Sequence, residues 1–269
     1  MNNMKIYLLG DIGHLNGNTK KIFESIMNDK EEKKIFLLGD NFYPNGLNSH
    51  DDLIWKTYQN LNIDVPVFGI LGNHDYLGNV KIQLEHKEKN WNIPYFYYKK
   101  SFDDVDFFFI DTSILLPEYS NINYTIVKSK IGREPIEVSK EMMDWLDDEL
   151  LNSDKIKVVL GHYPLFSYGV YGINRSLFNI LYPLFSKHKV DYYVSGHDHN
   201  LQIIDVTSEK FSMKQIVSGA TSHLYPLLKN VSSKIFSEFG CVLMDTTSEE
   251  VTILDQNLKT LYIEKLQKN

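Results

Sequence analysis

Short apolar runs recur along the chain, and seven of them stop at small or polar residues. Runs of this length that are rich in Ile, Val, Leu and Phe are typical of strands buried on both faces, as in the parallel sheets of α/β proteins. Such sheets bind their ligands at the carboxyl ends of the strands. We therefore predict that the polar groups after the runs gather at one site. The runs cover residues 5–11, 34–40, 67–75, 105–111, 157–162, 191–199 and 214–220.

Helical periodicity falls between these runs and predicts helices that alternate with the strands. The predicted helices cover residues 18–28, 51–61, 139–152 and 176–187, and Pro183 is expected to kink or divide the last one. Three alternating runs at residues 241–245, 250–254 and 260–264 predict an antiparallel meander that closes a second sheet. The predicted fold class is α/β, a two-sheet β-sandwich flanked by helices.

One segment, residues 116–138, has little periodicity, two prolines and a basic patch of Lys128, Lys130 and Arg133. These features predict a long surface loop, which in a compact domain is often functional.

Length and charge narrow the class of protein. The chain has 269 residues without a Pro-, Gly- or Ser-rich linker, so we expect residues 1–269 to form a single domain. The net charge of −7 argues against a nucleic-acid partner. Cys241 is the only cysteine, which excludes an intrachain disulfide, and no apolar stretch reaches the roughly 18 residues of a membrane span. Without a visible signal segment, we expect a cytoplasmic monomer, secreted or lysosomal only if a leader was removed.

The polar groups form a set that suits metal ions. Carboxylates, an amide, a phenol and three imidazoles lie in Gly-containing turns after the strands. The set is too rich in oxygen for a structural zinc site, whereas two metals that share a carboxylate would use all of it. Two metals about 3.5–4 Å apart are typical of phosphatases and nucleases, so the pattern predicts phosphoester hydrolysis. The alternative is that these residues only form turns or cap helices. The candidates are Asp11, Asp40, Tyr43, Asn73, His162, His197 and His199.

Five blocks of this sequence resemble, in order, the signature blocks of the calcineurin-like metallophosphoesterases. Tyr43 and the stretch of residues 91–98 make the chain similar to the purple acid phosphatases of the tartrate-resistant type. The blocks are Gly10-Asp11-Ile12-Gly13, Gly39-Asp40-Asn41-Phe42-Tyr43, Gly72-Asn73-His74-Asp75, Gly161-His162-Tyr163-Pro164 and Gly196-His197-Asp198-His199-Asn200.

The resemblance implies a ligand assignment and a reaction. Asp11, Tyr43 and His199 would bind Fe(III). Asn73, His162 and His197 would bind a divalent ion, Fe(II), Zn(II) or Mn(II), and Asp40 would bridge the two ions. Hydroxide bound to the metals would attack the phosphorus of a phosphate monoester, either a small molecule or a phosphopeptide. A phosphodiesterase acting on nucleotides and a catalytically inert scaffold are the alternatives.

Residues outside the ligand set are assigned less directly. We expect His74 to face the phosphate and Asp198 to orient a neighbour, with structural hydrogen bonding as the alternative for both. His14 is an imidazole that these enzymes usually lack, and it could bind phosphate. Tyr171 stands nine residues after His162, where these enzymes often carry a histidine. Asp111 is expected to be structural, and surface or core positions are expected for His50, His86, His188 and His223.

Overall fold

The computed structural model describes residues 4–85, 90–117, 122–209, 211–228 and 234–268, and within them the chain forms two seven-stranded sheets. The strands are β1 (Lys5–Leu9), β2 (Lys33–Leu38), β3 (Val67–Ile70), β4 (Trp91–Asn92), β5 (Tyr97–Phe102), β6 (Val105–Ile110), β7 (Ile156–Leu160), β8 (Tyr192–Ser195), β9 (Leu201–Thr207), β10 (Ser212–Ser218), β11 (Ile235–Phe236), β12 (Gly240–Asp245), β13 (Glu250–Asp255) and β14 (Thr260–Lys265).

Sheet I has the strand order β14-β13-β12-β1-β2-β3-β4, and sheet II has the order β11-β9-β10-β8-β7-β6-β5. The strands from β1 to β4 run parallel in sheet I, and β6, β7, β8 and β10 run parallel in sheet II. The antiparallel strands β12, β13 and β14 extend sheet I beyond β1. In sheet II, β5 pairs antiparallel with β6 at one edge, and β9 and β11 form the antiparallel strands at the other.

Helices connect the strands. They are α1 (Gly17–Asn28), α2 (Leu53–Gln59), α3 (Val80–Leu84), α4 (Thr112–Leu115), α5 (Tyr124–Ile131), α6 (Pro135–Leu151) and α7 (Arg175–His188), and Asp75–Leu77 forms a 3₁₀ turn. Among the residues described, no helix combines the length and the apolar character needed to cross a bilayer.

An apolar core lies between the two sheets. Phe36 of β2 packs edge-on against Phe107 and Phe109 of β6, with ring centroids 5.0 Å apart in both pairs. The outer face of sheet I packs against α1 and α2 through residues such as Phe23 and Trp55. The outer face of sheet II packs against α6 and α7. Because most central strands are buried on both faces, their sequences are continuous apolar runs. The predicted two-sheet sandwich flanked by helices is confirmed.

All seven predicted runs form strands, and the four predicted helices are present with ends shifted by a few residues. Asn16 rather than Asn18 or Thr19 caps α1, since its side chain accepts hydrogen bonds from the amides of both. Pro183 lies inside α7 without dividing it. Strands β4, β5, β9 and β11 were not predicted.

The predicted role of the C-terminal meander is wrong in one respect. Strands β12, β13 and β14 form the expected antiparallel meander, but β12 pairs with β1 and extends the sheet that β1 begins. The alternation of polar and apolar residues predicts strands, but it carries no information on which sheet edge they join.

The prediction of a long loop at residues 116–138 is also wrong for the part that the structure describes. Helix α5 begins after Asn123, whose side chain accepts a hydrogen bond from the Ile126 amide, and α6 begins at Pro135. Helix α5 buries only Val127 and Ile131, which explains its weak periodicity. The basic patch is largely neutralised, because Lys128 pairs with Glu134 and Arg133 pairs with Glu141. Residues 118–121 and His86 lie outside the described residues.

Candidate metal centre

The carboxyl ends of strands from both sheets meet at one cleft. Sheet I supplies Asp11 after β1, Asp40 after β2 and Asn73 after β3, whereas sheet II supplies histidines after β7 and β8. Gly10 permits this approach. A Cβ atom at Gly10 would lie 2.6 Å from the carbonyl oxygen of Ser218, which ends β10, and 2.9 Å from the Cα atom of Gly196, which directly follows β8. The sheets could therefore not meet this closely with a larger residue there.

Three of the residues at these strand ends have left-handed backbone conformations. The φ angles are +60° at Asp11, +54° at Asp40 and +65° at His197. Such angles are uncommon for residues other than glycine and cost on the order of 1–3 kcal/mol each. They persist where the surrounding structure fixes them, and they are concentrated at functional sites. The strain at these three positions supports a functional assignment of the cleft.

Asp11, Tyr43 and His199 form the first group of candidate ligands. The Tyr43 hydroxyl donates to Asp11 Oδ1 at 2.9 Å, and His199 Nε2 lies 3.2 Å from both the hydroxyl and Asp11 Oδ1. Burial raises the pKa of Tyr43 well above its ordinary value, and the charges of Asp11 and Asp40 raise it further. Only a strong positive charge nearby would turn this phenol into a phenolate ligand.

Asn73, His162 and His197 form the second group. His162 Nε2 lies 3.0 Å from Asn73 Oδ1 and 3.1 Å from His197 Nδ1. On the other side of its ring, His162 Nδ1 donates to the Leu38 carbonyl oxygen at 2.8 Å, which orients Nε2 toward the group. The three side chains are almost completely buried.

Asp40 lies between the two groups and contacts both. Its Oδ2 accepts from the Tyr43 hydroxyl at 2.9 Å, and its Oδ1 lies 3.5 Å from His162 Nε2. Ligand atoms of Asp40, His162 and His197 all lie within 4.8 Å of one another, close enough to hold one ion. Each carboxylate oxygen thus faces a different group of candidate ligands.

The electrostatics of the cleft fit metal ions. Burial lowers the pKa of His162, but the charge of Asp40 outweighs this effect and raises the pKa to about 9. Burial lowers the pKa of His197 well below its ordinary value, and the charge of His162 lowers it further. His162 therefore tends to keep a proton where several acceptor atoms converge, and a cation would satisfy the same atoms. The donor set of carboxylates, phenol, amide and imidazoles suits iron, zinc or manganese.

Asp75 organises the turn that carries these ligands, a role that the sequence did not reveal. Its buried carboxylate accepts hydrogen bonds from the backbone amides of Gly72, Asn41 and Phe42 and from the side chain of Gln83. Burial raises the pKa of Asp75 to about 6. The backbone amides of the turns that flank Asp40 and Asn73 need a hydrogen-bond acceptor. A search of the sequence for a carboxylate that could meet this need would have identified Asp75.

The turn after β6 supports His162. Thr112 Oγ1 accepts from the backbone amides of His162 and Tyr163, each at 3.1 Å. Asp111 caps α4 through the Ser113 and Ile114 amides and accepts from the Tyr76 hydroxyl at 2.7 Å. These contacts agree with the structural role expected for Asp111.

The cleft has a volume of about 180 Å³ and opens beside both groups. Its lining outside the ligand set includes His14, His74, Tyr171, His223 and Tyr225. The structure thus brings His14, His74 and Tyr171 to the cleft. His223, which we expected at a surface or core position, also lies here, five residues after β10 ends. The same rule of polar residues after strand ends would have identified it if followed beyond Ala220.

The three residues predicted to assist catalysis have different surroundings. His74 is partly exposed, and its Nδ1 donates to the Pro44 carbonyl oxygen at 2.7 Å. The His14 ring lies 4.6 Å from the Tyr43 ring, and burial lowers the pKa of His14. Asp198 is fully buried, and its carboxylate binds the Ser167 hydroxyl and the Asn200 side chain. Asp198 therefore anchors the loop that carries Tyr171.

Similar solved structures share the fold. GAP50, described as the anchor in the inner membrane complex of Plasmodium, superposes with a TM-score of 0.81 at 22% identity over 100% of this chain and 90% of that chain. Purple acid phosphatase PPD1 from yellow lupin superposes with a TM-score of 0.69 at 17% identity over 97% of this chain and 53% of that chain.

Two acid phosphatases are among the relatives that sequence comparison finds. Tartrate-resistant acid phosphatase type 5 of Mus musculus is 31% identical over 211 residues, which are 73% of this chain and 63% of the mouse protein. Purple acid phosphatase 7 of Arabidopsis thaliana is 30% identical over 219 residues, 75% of this chain and 66% of that protein. This chain thus spans less than two thirds of the mouse relative. The family model for calcineurin-like phosphoesterases matches residues 4–201. The chain belongs to the calcineurin-like phosphoesterase family.

Proposed function

We propose that this protein is an acid phosphatase that hydrolyses phosphate monoesters at a binuclear metal centre. The observation that carries the proposal is the position of Asp40, whose two carboxylate oxygens face two separate groups of acceptor atoms. When bound, two metal ions supply Lewis acidity and lower the pKa of water, so that a nucleophile forms at moderate pH.

The two groups suit different ions. Asp11 and Tyr43 are hard, anionic donors and would favour Fe(III), with His199 completing that group. Asn73, His162 and His197 are neutral donors and would hold a divalent ion, Fe(II), Zn(II) or Mn(II). Asp40 would bridge the two ions.

The residues of the cleft have separate tasks in this proposal. No Lys or Arg is among the described residues that line the cleft, so metal ions would supply most of the positive charge that a phosphate dianion needs. The hydrogen bond from His74 Nδ1 to Pro44 fixes that ring and leaves Nε2 available to a substrate oxygen. Burial raises the pKa of the Tyr171 hydroxyl above its ordinary value, which makes Tyr171 a poor proton donor. His74 is therefore the preferred donor to the leaving group.

The proposal extends to the substrates, the oligomeric state and the partners of the protein. We propose small phosphomonoesters or phosphopeptides as substrates. We also propose that residues 1–269 form one domain, and that the protein is a monomer that binds neither nucleic acid nor membranes. The net charge of −7 supports the absence of a nucleic-acid partner.

An inert scaffold is the second candidate, favoured by the likeness to GAP50, whose description is that of an anchor. A scaffold has no need of the convergent acceptor atoms around Asp40. The complete ligand set therefore supports the enzyme over the scaffold. A phosphodiesterase acting on nucleotides is the alternative among enzymes.

Metal analysis combined with a phosphatase assay tests the proposal. The protein is purified without added metal, its iron, zinc and manganese are quantified, and p-nitrophenyl phosphate and bis(p-nitrophenyl) phosphate are compared at pH 5–7. Two equivalents of metal with faster turnover of the monoester are expected. Faster turnover of the diester would favour the phosphodiesterase, and metal-free protein without turnover after metal addition would favour the scaffold.

A further inference from the structure

Two tyrosine rings cover two of the candidate imidazole ligands. The Tyr225 ring lies parallel to the His199 ring, with centroids 4.3 Å apart and an interplanar angle of 6°. The Tyr171 ring lies over the His197 ring, with centroids 4.0 Å apart and an angle of 33°. The two tyrosine rings also lie beside each other, with centroids 6.2 Å apart. The imidazoles that follow β8 are thus covered by one linked pair of rings.

His199 lacks the contact that usually fixes a ligating imidazole. Such a ring commonly donates its second nitrogen to a carbonyl or carboxylate, as His162 does to the Leu38 carbonyl oxygen. His199 Nδ1 is buried, and it has no hydrogen-bond partner among the residues that the structure describes. Something other than a hydrogen bond at Nδ1 must therefore hold the His199 ring in place.

Tyr225 is itself held firmly against His199. Its backbone amide donates to the His199 carbonyl oxygen at 2.8 Å, and its own carbonyl oxygen accepts from the Ser237 hydroxyl at 3.0 Å. The Tyr225 ring is therefore tied to the residue on which it stacks.

The loop under Tyr171 is equally well ordered by hydrogen bonds. The Ser167 amide donates to the Gly172 carbonyl oxygen at 2.8 Å, and the Ser167 hydroxyl binds Asp198. Gln202 Oε1 accepts from the Tyr168 amide at 2.9 Å. Both tyrosines therefore approach the histidines from fixed backbones.

We propose that Tyr225 is a positioning residue that holds His199 in the orientation needed to bind metal, with its ring stack replacing the missing hydrogen bond at Nδ1. The inference rests on the proposed function in so far as His199 is a ligand. It assigns Tyr171 the role of supporting Tyr225 and His197, in place of a role in proton transfer.

Three variants separate the stack from the hydroxyl group. Tyr225→Phe keeps the ring and removes only the hydroxyl group, whereas Tyr225→Leu loses the ring. Tyr182→Leu is the matched control, because Tyr182 of α7 also stacks, on Phe178 at 4.5 Å and 23°, but outside the cleft. Thermal unfolding of all variants identifies any that fail to fold.

Metal affinity and ring order are measured on metal-free protein prepared with a chelator. Zn(II) alone is titrated in competition with a colorimetric chelator. Histidine side-chain ¹⁵N signals report the order of the His199 ring. Loss of a group that orients a ligand typically costs about 10–100-fold in metal affinity. We expect this loss, with broadened His199 signals, in Tyr225→Leu, and wild-type behaviour in Tyr225→Phe and Tyr182→Leu.

Two results would overturn the inference. One is wild-type zinc affinity and sharp His199 signals in folded Tyr225→Leu. The other is an equal loss in Tyr225→Phe, which would assign the effect to the hydroxyl group. If the wild type bound no zinc, the proposed function would fail, while the His199 signals of the metal-free variants would still decide whether Tyr225 orders that ring.

Discussion

Sheet I contributes oxygen donors to the cleft, whereas sheet II contributes imidazoles. Asp11, Asp40, Tyr43 and Asn73 follow strands of sheet I, and the three candidate histidines follow β7 and β8 of sheet II. Every negative charge in the ligand set therefore comes from one sheet. The two groups of candidate ligands therefore differ in what sheet II supplies. The first group has one imidazole, and the second group has two.

Removal of the shared carboxylate should have the largest effect, because the two carboxylate oxygens of Asp40 face the two groups of candidate ligands. We expect Asp40→Ala to lower kcat/KM at least about 1,000-fold, since a metal ion supplies several kcal/mol and each 1.36 kcal/mol is tenfold. Total bound metal should also fall, as measured by elemental analysis. Full activity in this variant would disprove the binuclear assignment.

His74 should matter for some substrates more than for others. General acid catalysis contributes most when the leaving alkoxide is basic, so His74→Ala should slow alkyl phosphates by about 100-fold and aryl phosphates much less. The check is kcat/KM across phosphomonoesters of graded leaving-group pKa. Tyr171→His serves as the partner variant, and it should narrow the gap between alkyl and aryl substrates. Equal losses for both classes in His74→Ala would remove this residue from the acid role.

Exchange of one oxygen donor tests whether the first group selects Fe(III). Tyr43→Phe removes the phenol but leaves Asp11 and His199, so we expect loss of visible absorption with activity reduced about tenfold or less. Asn73→Ala, in the other group, should keep the absorption and lose the divalent ion. A colourless wild type that is active without iron would contradict this division of the groups.

Asp111 should affect stability and not catalysis, so its replacement has the smallest expected effect on activity. It is the acidic residue that follows β6 of sheet II, and it binds Tyr76 rather than the candidate ligands. Burial raises its pKa from 3.8 to about 7, so the folded state binds the proton more tightly than the unfolded state. The stabilisation that comes from protonated Asp111 is complete below pH about 4 and is lost as the pH rises to about 7. Over this range the free energy of unfolding falls by at most about 1.4 kcal/mol per pH unit.

Urea unfolding of metal-free wild type and Asp111→Asn from pH 4 to 8 measures this contribution. The difference between the two curves should follow the predicted slope, while kcat of the loaded variant stays near the wild-type value. A difference that does not change with pH would show that Asp111 keeps an ordinary pKa.

The features that could be predicted from the sequence are those that depend on the local pattern of apolar and polar residues. The parallel strands are mostly apolar because both faces are buried, and each candidate ligand lies shortly after one of them or, for Tyr43, in the next turn. Strand β5 was missed because its residues are only partly buried and two are lysines. Tyr225 was missed because its place beside His199 arises from contacts between distant segments. Helix α5 was missed because its apolar stripe is only two residues wide.

The pairing of β1 with β12 has a consequence for truncation and for the order of synthesis. Strand β1 carries Asp11 but acquires its second neighbour only when residues 240–245 have been made, about 230 residues later. A chain that ended after His199 would possess every candidate ligand and still leave one side of β1 unpaired. An apolar strand with an unpaired edge is a template for association between chains. The meander therefore protects the molecule from aggregation at the strand that leads to the first residue of the candidate metal site.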